Sequence, residues 1–303
     1  MRKKWLAAGA GIGVGAVMLF ASGFSAMADT SGSDAYKSAL LQTKAETSLT
    51  ADADLTITDN GTKLLSGTAN IKLNRESQSA SLAAEIGSGT QTHAFQVYRQ
   101  DGKTVFKSGD SDVYRIMQSN EPDWQHGGGD HPAQPPKAVE QLFDTLTGNV
   151  RQLATVETEA DGSKIASLHL TESQIPAVVN AIGSLAASGA SGGKWHHAEG
   201  KSGGGGPFGP AEFDMNLPKL TDEIRVDSIN LDAKITPDNL LDEQTAEIGI
   251  SGKDDSGTLH DLVVRLHVDF SGYNQTNPER IDLTGKPTET IQNKGPGRGG
   301  WHH

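Results

Sequence analysis

Strict alternation of apolar and polar residues is the feature that most constrains how this chain folds. The clearest run has large apolar residues at every second position from 262 to 270: Leu262, Val264, Leu266, Val268 and Phe270. Polar and charged residues lie out of phase with them at Asp261, Arg265, His267 and Asp269. Because successive side chains of a strand point to opposite faces, this pattern predicts a strand with one buried face and one solvated face.

The same alternation, with an apolar residue at every second position, occurs in the first third of the chain. Leu49, Ala51, Ala53, Leu55 and Ile57 alternate with polar residues and are followed by Asn60-Gly61. Asn-Gly favours the positive φ angles of a tight hairpin turn, so a return strand carrying Ala69, Ile71 and Leu73 is predicted. Further strands are predicted at 81–86, 93–99, 104–107 and 113–116, with Asp101-Gly102 turning the chain between two of them.

Strands are also predicted in the second half. Two of them, at 155–159 and 164–170, flank Asp161-Gly162. A longer strand begins at Ile224, and its apolar phase changes near Asp227-Ser228, which indicates a β-bulge. Ala246, Ile248 and Ile250 form the next strand, and Asp254-Asp255-Ser256-Gly257 turns the chain into the strand at 262–270.

Three segments have helical periodicity instead. Residues 34–44 place Tyr36 and Leu40 on one face. A second helix is predicted from Lys137 to Leu146, ending at Gly148. Thr171-Glu172-Ser173-Gln174 is a capping box, predicted to open a third helix through Ile175 to Leu185. The fold class is therefore α+β: a curved antiparallel sheet, or half-barrel, with two or three helices covering its concave face.

The ends of the chain and two internal stretches are predicted to lie outside this domain. Arg2, Lys3 and Lys4 precede an apolar run, and Ala26-Met27-Ala28 gives a cleavage site, so residues 1–28 are predicted to be a secretory signal, with an uncleaved anchor as the alternative. Residues 29–292 then form one domain with flexible loops at 118–136 and 186–210, and 293–303 form a disordered Gly/His tail. The protein is expected to be secreted, in the extracellular space or associated with the cell envelope.

Charge and cysteine content exclude several classes of function. The net charge of −12 argues against nucleic acid and against stable binding to an anionic membrane, beyond transient contact or an uncleaved signal. The absence of cysteine excludes disulfides, thiolate metal sites and a lipidated N-terminal cysteine. No His-Glu-x-x-His motif or other catalytic constellation stands out, so a non-enzymatic protein is predicted.

Tryptophan and histidine occur together in the Gly-rich segments. Apart from Trp5, each tryptophan lies beside histidine, and six of the ten histidines lie in these places: Trp124 with His126 and His131, Trp195 with His196 and His197, and Trp301 with His302 and His303. One interpretation is a flexible site for a transition metal, because Zn²⁺, Cu²⁺ and Ni²⁺ accept imidazole. A second is docking of the three tryptophans on a partner, a sugar or a membrane interface, and a third is loop composition without a role. No other cofactor is predicted.

The order of signal, short helix, strand meander, helices and closing strands resembles the LolA/LppX-like superfamily of envelope lipid carriers. The stretch from Ile224 to Phe270 is especially similar, with Asp232, the Pro237-Asp238-Asn239 turn and the Asp255-Ser256-Gly257 hairpin. The resemblance implies a concave apolar surface able to hold acyl chains. The expected function is a secreted binding protein that carries or senses a lipid or another apolar ligand. A protein-interaction module of the cell envelope, or metal binding through the His/Trp segments, is the alternative.

Overall fold

A computed structural model describes residues 31–109, 111–118, 153–175 and 217–291. Within these ranges one α-helix, α1 (Ser31–Ala45), precedes a large β-sheet. The first group of strands is β1 (Ser48–Asp59), β2 (Thr62–Asn74), β3 (Ser79–Ser88), β4 (Gln91–Gln100), β5 (Lys103–Ser108) and β6 (Tyr114–Gln118). The second group is β7 (Thr155–Thr158), β8 (Lys164–Thr171), β9 (Asp222–Ile235), β10 (Leu241–Lys253), β11 (Leu259–Ser271) and β12 (Thr288–Ile291).

The twelve strands form one sheet in the order β12-β6-β5-β4-β3-β2-β1-β11-β10-β9-β8-β7. Strands β1–β6 form one meander and β7–β11 form another, and the two meanders join where β1 pairs with β11, Ala53 lying opposite Val268. All pairs are antiparallel except β12 with β6. The sheet is open, with β12 and β7 as its two edges.

Turn chemistry explains the hairpins. Asn60 and Gly61 both have positive φ, 48° and 76°, as the Asn-Gly turn requires. Asp101 and Gly102 make the same turn between β4 and β5. The predicted bulge is confirmed: Ser228 pairs with Gly249 and Val226 with Ile250, so Asp227 is the extra residue.

The core lies between α1 and one face of the sheet, which we call the inner face. Tyr36, Ala39 and Leu40 of α1 are at most 5% exposed and pack against buried apolar residues of the strands. On β9, β10 and β11 these include Leu231, Ala233, Ala246, Leu266 and Val268. The alternation in the sequence thus places its apolar phase on this face, as predicted.

The C-terminal segment 272–287 runs across the opposite, outer face. Its Asn274 accepts hydrogen bonds from Thr47, its Glu279 binds Lys72 and Ser81, and its Arg280 binds Asp101 at 2.6 Å. This crossing carries the chain from β11 in the middle of the sheet to the far edge. It therefore explains why β12 arrives parallel to β6.

Two elements of the predicted fold class are wrong. The described residues contain one α-helix, not two or three covering the sheet, and the capping box at Thr171 closes only a 3₁₀ turn, Glu172–Gln174. Ile175, predicted to be helical, is extended (φ −79°, ψ 120°) and buried in the core, so the helix does not continue through it. The sheet is also not purely antiparallel, because the pairing of β12 depends on a long crossing that no local pattern encodes.

The remaining predicted segments lie outside the described residues. These are the signal at 1–28, the helix at 137–146, most of the helix at 175–185, nearly all of both predicted loops, and the tail from 293. The single-domain organisation of 29–292 stays a prediction.

Candidate functional site: the inner face of the sheet

All the residues singled out for metal or partner binding lie outside the described residues. These are Trp124, Trp195 and Trp301 together with His126, His131, His196, His197, His302 and His303. The structure therefore neither brings them together nor separates them. Within the described residues, the candidate site lies on the inner face of the sheet.

Helix α1 packs mainly against β7, β8, β9 and β10. Under it the side chains are fully buried, as Ala233 and Val268 show at 1% exposure. Elsewhere on the same face, Leu65 and Phe106 are also buried, but eleven other apolar side chains are only half-buried. We call this set the inner strip: Leu55, Ile57, Ala69, Leu82, Ala84, Ile86, Phe95, Val97, Ile229, Ile248 and Val264.

Register shows that the inner strip is continuous. Across one row, Ala53 lies opposite Ala69, Ala69 opposite Ala84, and Ala84 opposite Phe95. A second row joins Ile229, Ile248, Val264 and Ile57 on β9, β10, β11 and β1. The strip spans seven adjacent strands, from β4 to β9, which at ~4.8 Å per strand is about 29 Å.

Small side chains in the middle of this face leave room above the backbone. Gly67 on β2 lies between Leu55 and Ile86, and Ala69 and Ala84 are neighbours on β2 and β3. Larger side chains stand on either side, with Leu55 and Ile57 on β1 and Phe95 and Val97 on β4. Gly67, Ala69 and Ala84 thus form a small low area of the face, bordered by Leu65 and Ile71 on β2 and by Leu82 and Ile86 on β3, and we call this area the trough.

Two arginines lie on the inner face at the β4–β6 margin. Arg99 follows Phe95 and Val97 in the same phase of β4 and pairs with Thr104. Arg115 pairs with Phe106 across β5 and β6, and its Nε lies 3.3 Å from Oε2 of Glu289. The arginines thus stand diagonally across β5, next to the apolar strip.

A buried polar pair lies under α1. The Tyr36 hydroxyl donates a 2.8 Å hydrogen bond to Oε1 of Gln244, whose side chain is 2% exposed. Burial raises the pKa of Tyr36 well above its ordinary value, so the phenol stays protonated. Among the described residues the Gln244 amide nitrogen has no hydrogen-bond partner, so loss of the Tyr36 hydroxyl would leave the Gln244 side chain without either of its hydrogen bonds there.

Next to this pair is a cavity of about 10 Å³, lined by Ser33, Tyr36, Ala154 and Leu168 among others. The hydroxyl of Ser33, which is 1% exposed, has no hydrogen-bond partner within the part of the chain that the structure describes. The cavity has the size of a site for a single water molecule. It is too small for an organic ligand, so the trough is the larger candidate site.

A charged cluster ties two hairpins together at one end of the sheet. Nδ1 of His260 lies 2.8 Å from Asp59 at the end of β1, and Nε2 lies 3.4 Å from Asp254 in the β10–β11 turn. The hydrogen bond with Asp59 raises the pKa of His260 despite partial burial. Hydrogen bonds from Ser256 and Thr258 lower the pKa of Asp254 to about 2.

Neither the Tyr36–Gln244 pair nor the cluster around His260 forms a metal centre. Across 31–109, 111–118, 153–175 and 217–291, no three His, Asp or Glu side chains are placed to hold a metal ion. No helix in those ranges is both long enough and apolar enough to cross a bilayer.

Sequence reasoning missed the two arginines and the Tyr36–Gln244 pair. Arg99 had a usable signal, because it continues the alternate positions of Phe95 and Val97 and therefore belongs to the apolar phase of β4. Gln244 had the same signal two residues before Ala246. Their partners on distant elements had no local signal.

Comparison with known proteins adds little. No protein family matches the sequence, and no curated protein matches it either. Among solved structures, the dehydratase domain from the terminal module of the rifamycin polyketide synthase aligns with 80% of this chain and 82% of its own, at 12% identity. The TM-score of that alignment is 0.13, too low to support any statement about fold or function.

Proposed function

We propose that this protein is a secreted, non-enzymatic binding protein that carries a lipid or a similar apolar ligand on the inner face of its sheet. The observation that carries the proposal is the inner strip: a continuous band of half-buried apolar side chains across seven strands. Contiguous apolar surfaces of this extent on a soluble protein are typical of ligand or partner sites.

The chemistry of the strip favours hydrocarbon over a polar ligand. Its members are aliphatic or aromatic, and small residues at Gly67, Ala69 and Ala84 widen the space between Leu55 and Phe95. Removing such surface from water stabilises a complex by ~25 cal/mol per Å². An extended hydrocarbon chain lying across the strands would bury the strip without leaving a polar group unpaired.

Native mass spectrometry of the full chain, purified from the culture medium without a metal-affinity step, tests the proposal. We expect a bound mass that matches a lipid, together with loss of residues 1–28. A single transition-metal ion that a chelator removes would instead support the His/Trp segments. A ligand-free mass, with no uptake of added lipid, would overturn the carrier function.

A pair of substitutions on β3 locates the site. Ala84 faces the trough, whereas the adjacent Ala83 is exposed on the outer face. Ala84→Trp places an indole in the trough and is expected to weaken binding of a fluorescent fatty acid at least ~10-fold. Ala83→Trp adds the same side chain to the other face and should leave affinity unchanged. Equal affinity in both variants would exclude the inner face as the site.

A further inference from the structure

His260 lies between two carboxylates at the place where two hairpins of the sheet meet. Its Nδ1 is 2.8 Å from Oδ2 of Asp59, at the end of β1, and its Nε2 is 3.4 Å from Oδ2 of Asp254, in the β10–β11 turn. The side chains of His260 and Asp59 are only 12% and 15% exposed. Partial burial strengthens electrostatic interactions, so the charge on the imidazole decides how the three groups interact.

Both carboxylates are fixed by further hydrogen bonds. Oδ1 of Asp254 accepts hydrogen bonds from the backbone N–H groups of Ser256 and Thr258 and from the Ser256 hydroxyl, at 2.7 to 2.9 Å. Oδ1 of Asp59 accepts one from the Asp261 N–H at 3.2 Å. Because the pKa of Asp254 is lowered to about 2, this carboxylate is an anion throughout the pH range in which a histidine titrates.

The strands next to His260 and Asp59 add no charge in register with them. Opposite His260 on β10 is Gly252, and opposite Asp59 on β2 is Thr62. The other charged residues of these elements lie out of phase with His260, in one case as an ion pair of 2.6 Å between β9 and β10, or in the exposed turn: Lys63, Asp222, Glu223, Lys253, Asp255 and Asp261. Asp59 and Asp254 are therefore the charged groups that face the imidazole.

Protonation of His260 changes the sign of one of its two contacts. The imidazolium carries an N–H on both ring nitrogens, so it can donate to Asp59 and to Asp254 together, whereas the neutral ring carries only one N–H. If that N–H stays on Nδ1 for the shorter contact with Asp59, Nε2 presents a lone pair to the Asp254 carboxylate and the attraction becomes repulsion. If the tautomer is reversed, the same repulsion falls on Asp59. A neutral His260 therefore cannot hold both carboxylates.

We propose that His260, Asp59 and Asp254 form a proton-controlled latch, which holds the β10–β11 turn against the end of β1 when His260 is charged and releases the turn when His260 is neutral. The hydrogen bond with Asp59, and to a lesser degree the contact with Asp254, raises the pKa of His260. The closed latch thus binds the proton more tightly than the open one. It is closed below the ordinary histidine pKa of ~6.5 and opens as the pH rises through the raised value.

The latch stands at one end of the inner face. His260 precedes Leu262 by two residues on β11, Asp59 follows Ile57 by two residues on β1, and Asp59 lies opposite Leu262. Since alternate residues of a strand share a face, both latch residues continue the apolar phase of their strands. Release of the turn would loosen the sheet at this end of the inner strip. The latch is independent of the ligand proposed for that face.

NMR of the full-length protein between about pH 5.5 and 8.5 tests the latch. We expect the amide exchange protection of Ser256 and Thr258, corrected for the intrinsic pH dependence of exchange, to fall by ~10-fold because a charge-assisted contact is lost. The fall should have the same midpoint as the imidazole resonances of His260.

A second turn of the same molecule is the internal control. The carboxylate of Asp282 binds the backbone N–H and the hydroxyl of Thr284 at 2.9 and 2.7 Å, and the charged group that affects its pKa is Lys286 instead of a histidine. The amide of Thr284 should keep its protection over the same pH range.

Asp254→Asn tests which contact opens. Asparagine keeps the oxygen that accepts from Ser256 and Thr258, and its amide NH₂ can donate to Nε2 of the neutral ring. The turn should therefore stay protected at high pH, and the pKa of His260 should be lower than in the wild type. Asp282→Asn makes the same change in the control turn and should alter neither property.

Three results would overturn the latch. The first is that the β10–β11 turn keeps its protection while His260 loses its proton, which would make the cluster a static part of the fold. The second is protection that increases with pH, since the sign would be wrong. The third is an Asp254→Asn protein that behaves like the wild type, because Asp254 would then not be the group that His260 holds. If that variant does not fold, the wild-type titration still decides, since it compares two turns within one molecule.

Discussion

Buried polar residues are where single substitutions in this protein should have the largest effect for their size. Tyr36 and Gln244 come from elements more than two hundred residues apart, and their hydrogen bond of 2.8 Å connects α1 to β10 inside the core. Such a bond contributes modestly when formed, but each partner left unpaired in the core is costly. The pair therefore fixes the position of the helix on the sheet more than it adds net stability.

Tyr36→Phe should lower the free energy of unfolding by ~1–3 kcal/mol, because the Gln244 oxygen then loses its partner inside the core. The double variant Tyr36→Phe/Gln244→Leu should recover most of that loss, since both polar groups are replaced by apolar ones of similar size. Urea denaturation of the two variants and the wild type measures this. A double variant less stable than the single variant would show that Gln244 has a role beyond this pair.

His260 gives stability a defined pH dependence. Its pKa is raised in the folded protein, chiefly by the hydrogen bond with Asp59. A raised pKa means that this stabilisation is complete below the unfolded pKa of ~6.5 and is lost as pH rises through the folded pKa. The interaction should therefore stabilise the hairpins in mildly acidic solution.

His260→Gln should reduce unfolding free energy by ~1–3 kcal/mol near pH 5.5, because glutamine cannot supply the charged partner of Asp59. The difference from the wild type should shrink as pH rises through the raised pKa of folded His260, because the imidazole then loses its charge in both states. Thermal melts across this range measure it. Asp254 does not interfere, because its pKa of about 2 keeps it ionised throughout. If the stability difference between His260→Gln and the wild type instead grows with pH, the hydrogen bond between His260 and Asp59 is not its cause.

Helix α1 approaches the sheet so closely at its start that only glycine fits. A Cβ on Gly32 would overlap the carbonyl of Thr155 in β7 and lie 2.8 Å from the carbonyl carbon of Ala154. Because backbone atoms line the contact, the clash cannot be relieved by rotating a side chain. The helix would have to move away from β7.

Gly32→Ala should therefore destabilise the protein by ~1–3 kcal/mol, although alanine is the better helix former. Gln42→Ala is the control, because residue 42 is exposed on the same helix and its substitution should change stability by less than ~0.5 kcal/mol. Chemical denaturation followed by circular dichroism compares the two. Equal stability would show that α1 docks more loosely than its packing on β7 indicates.

Local elements were more predictable than their arrangement. Alternation located the strands of both meanders, and turn residues such as Asn60 and Gly61 located their hairpins, because these signals act over a few residues. The capping box at Thr171 led to the wrong prediction of a helix, because a 3₁₀ turn satisfies the same side-chain hydrogen bonds as the start of an α-helix. The pairing of β12 with β6 and the bond from Tyr36 to Gln244 join distant segments and left no local signal. For the same reason the diagonal of Arg99 and Arg115 became visible only from the register of β4, β5 and β6.

At the scale of the whole molecule, two strand pairings join distant parts of the chain. β1 pairs with β11 in the middle of the sheet, and β12 pairs with β6 at its edge. Segment 272–287 connects these places while bonding to β2, β3 and the β4–β5 turn. The main buried cluster of the described residues draws on both sides of the β1–β11 pair, so the two meanders share it.

This topology predicts one cooperative unfolding transition. Val268 lies at the centre of the sheet on the inner face, and Val105 lies on β5, on the outer face crossed by the C-terminal segment; both are 1% exposed. Val268→Ala and Val105→Ala remove the same two methyl groups and should each cost ~2 kcal/mol, lowering the midpoint with an unchanged slope. Denaturation followed by tyrosine fluorescence and by circular dichroism measures both variants. If Val105→Ala separates the two signals, the β4–β6 margin unfolds independently, and the region 29–292 is not a single cooperative domain.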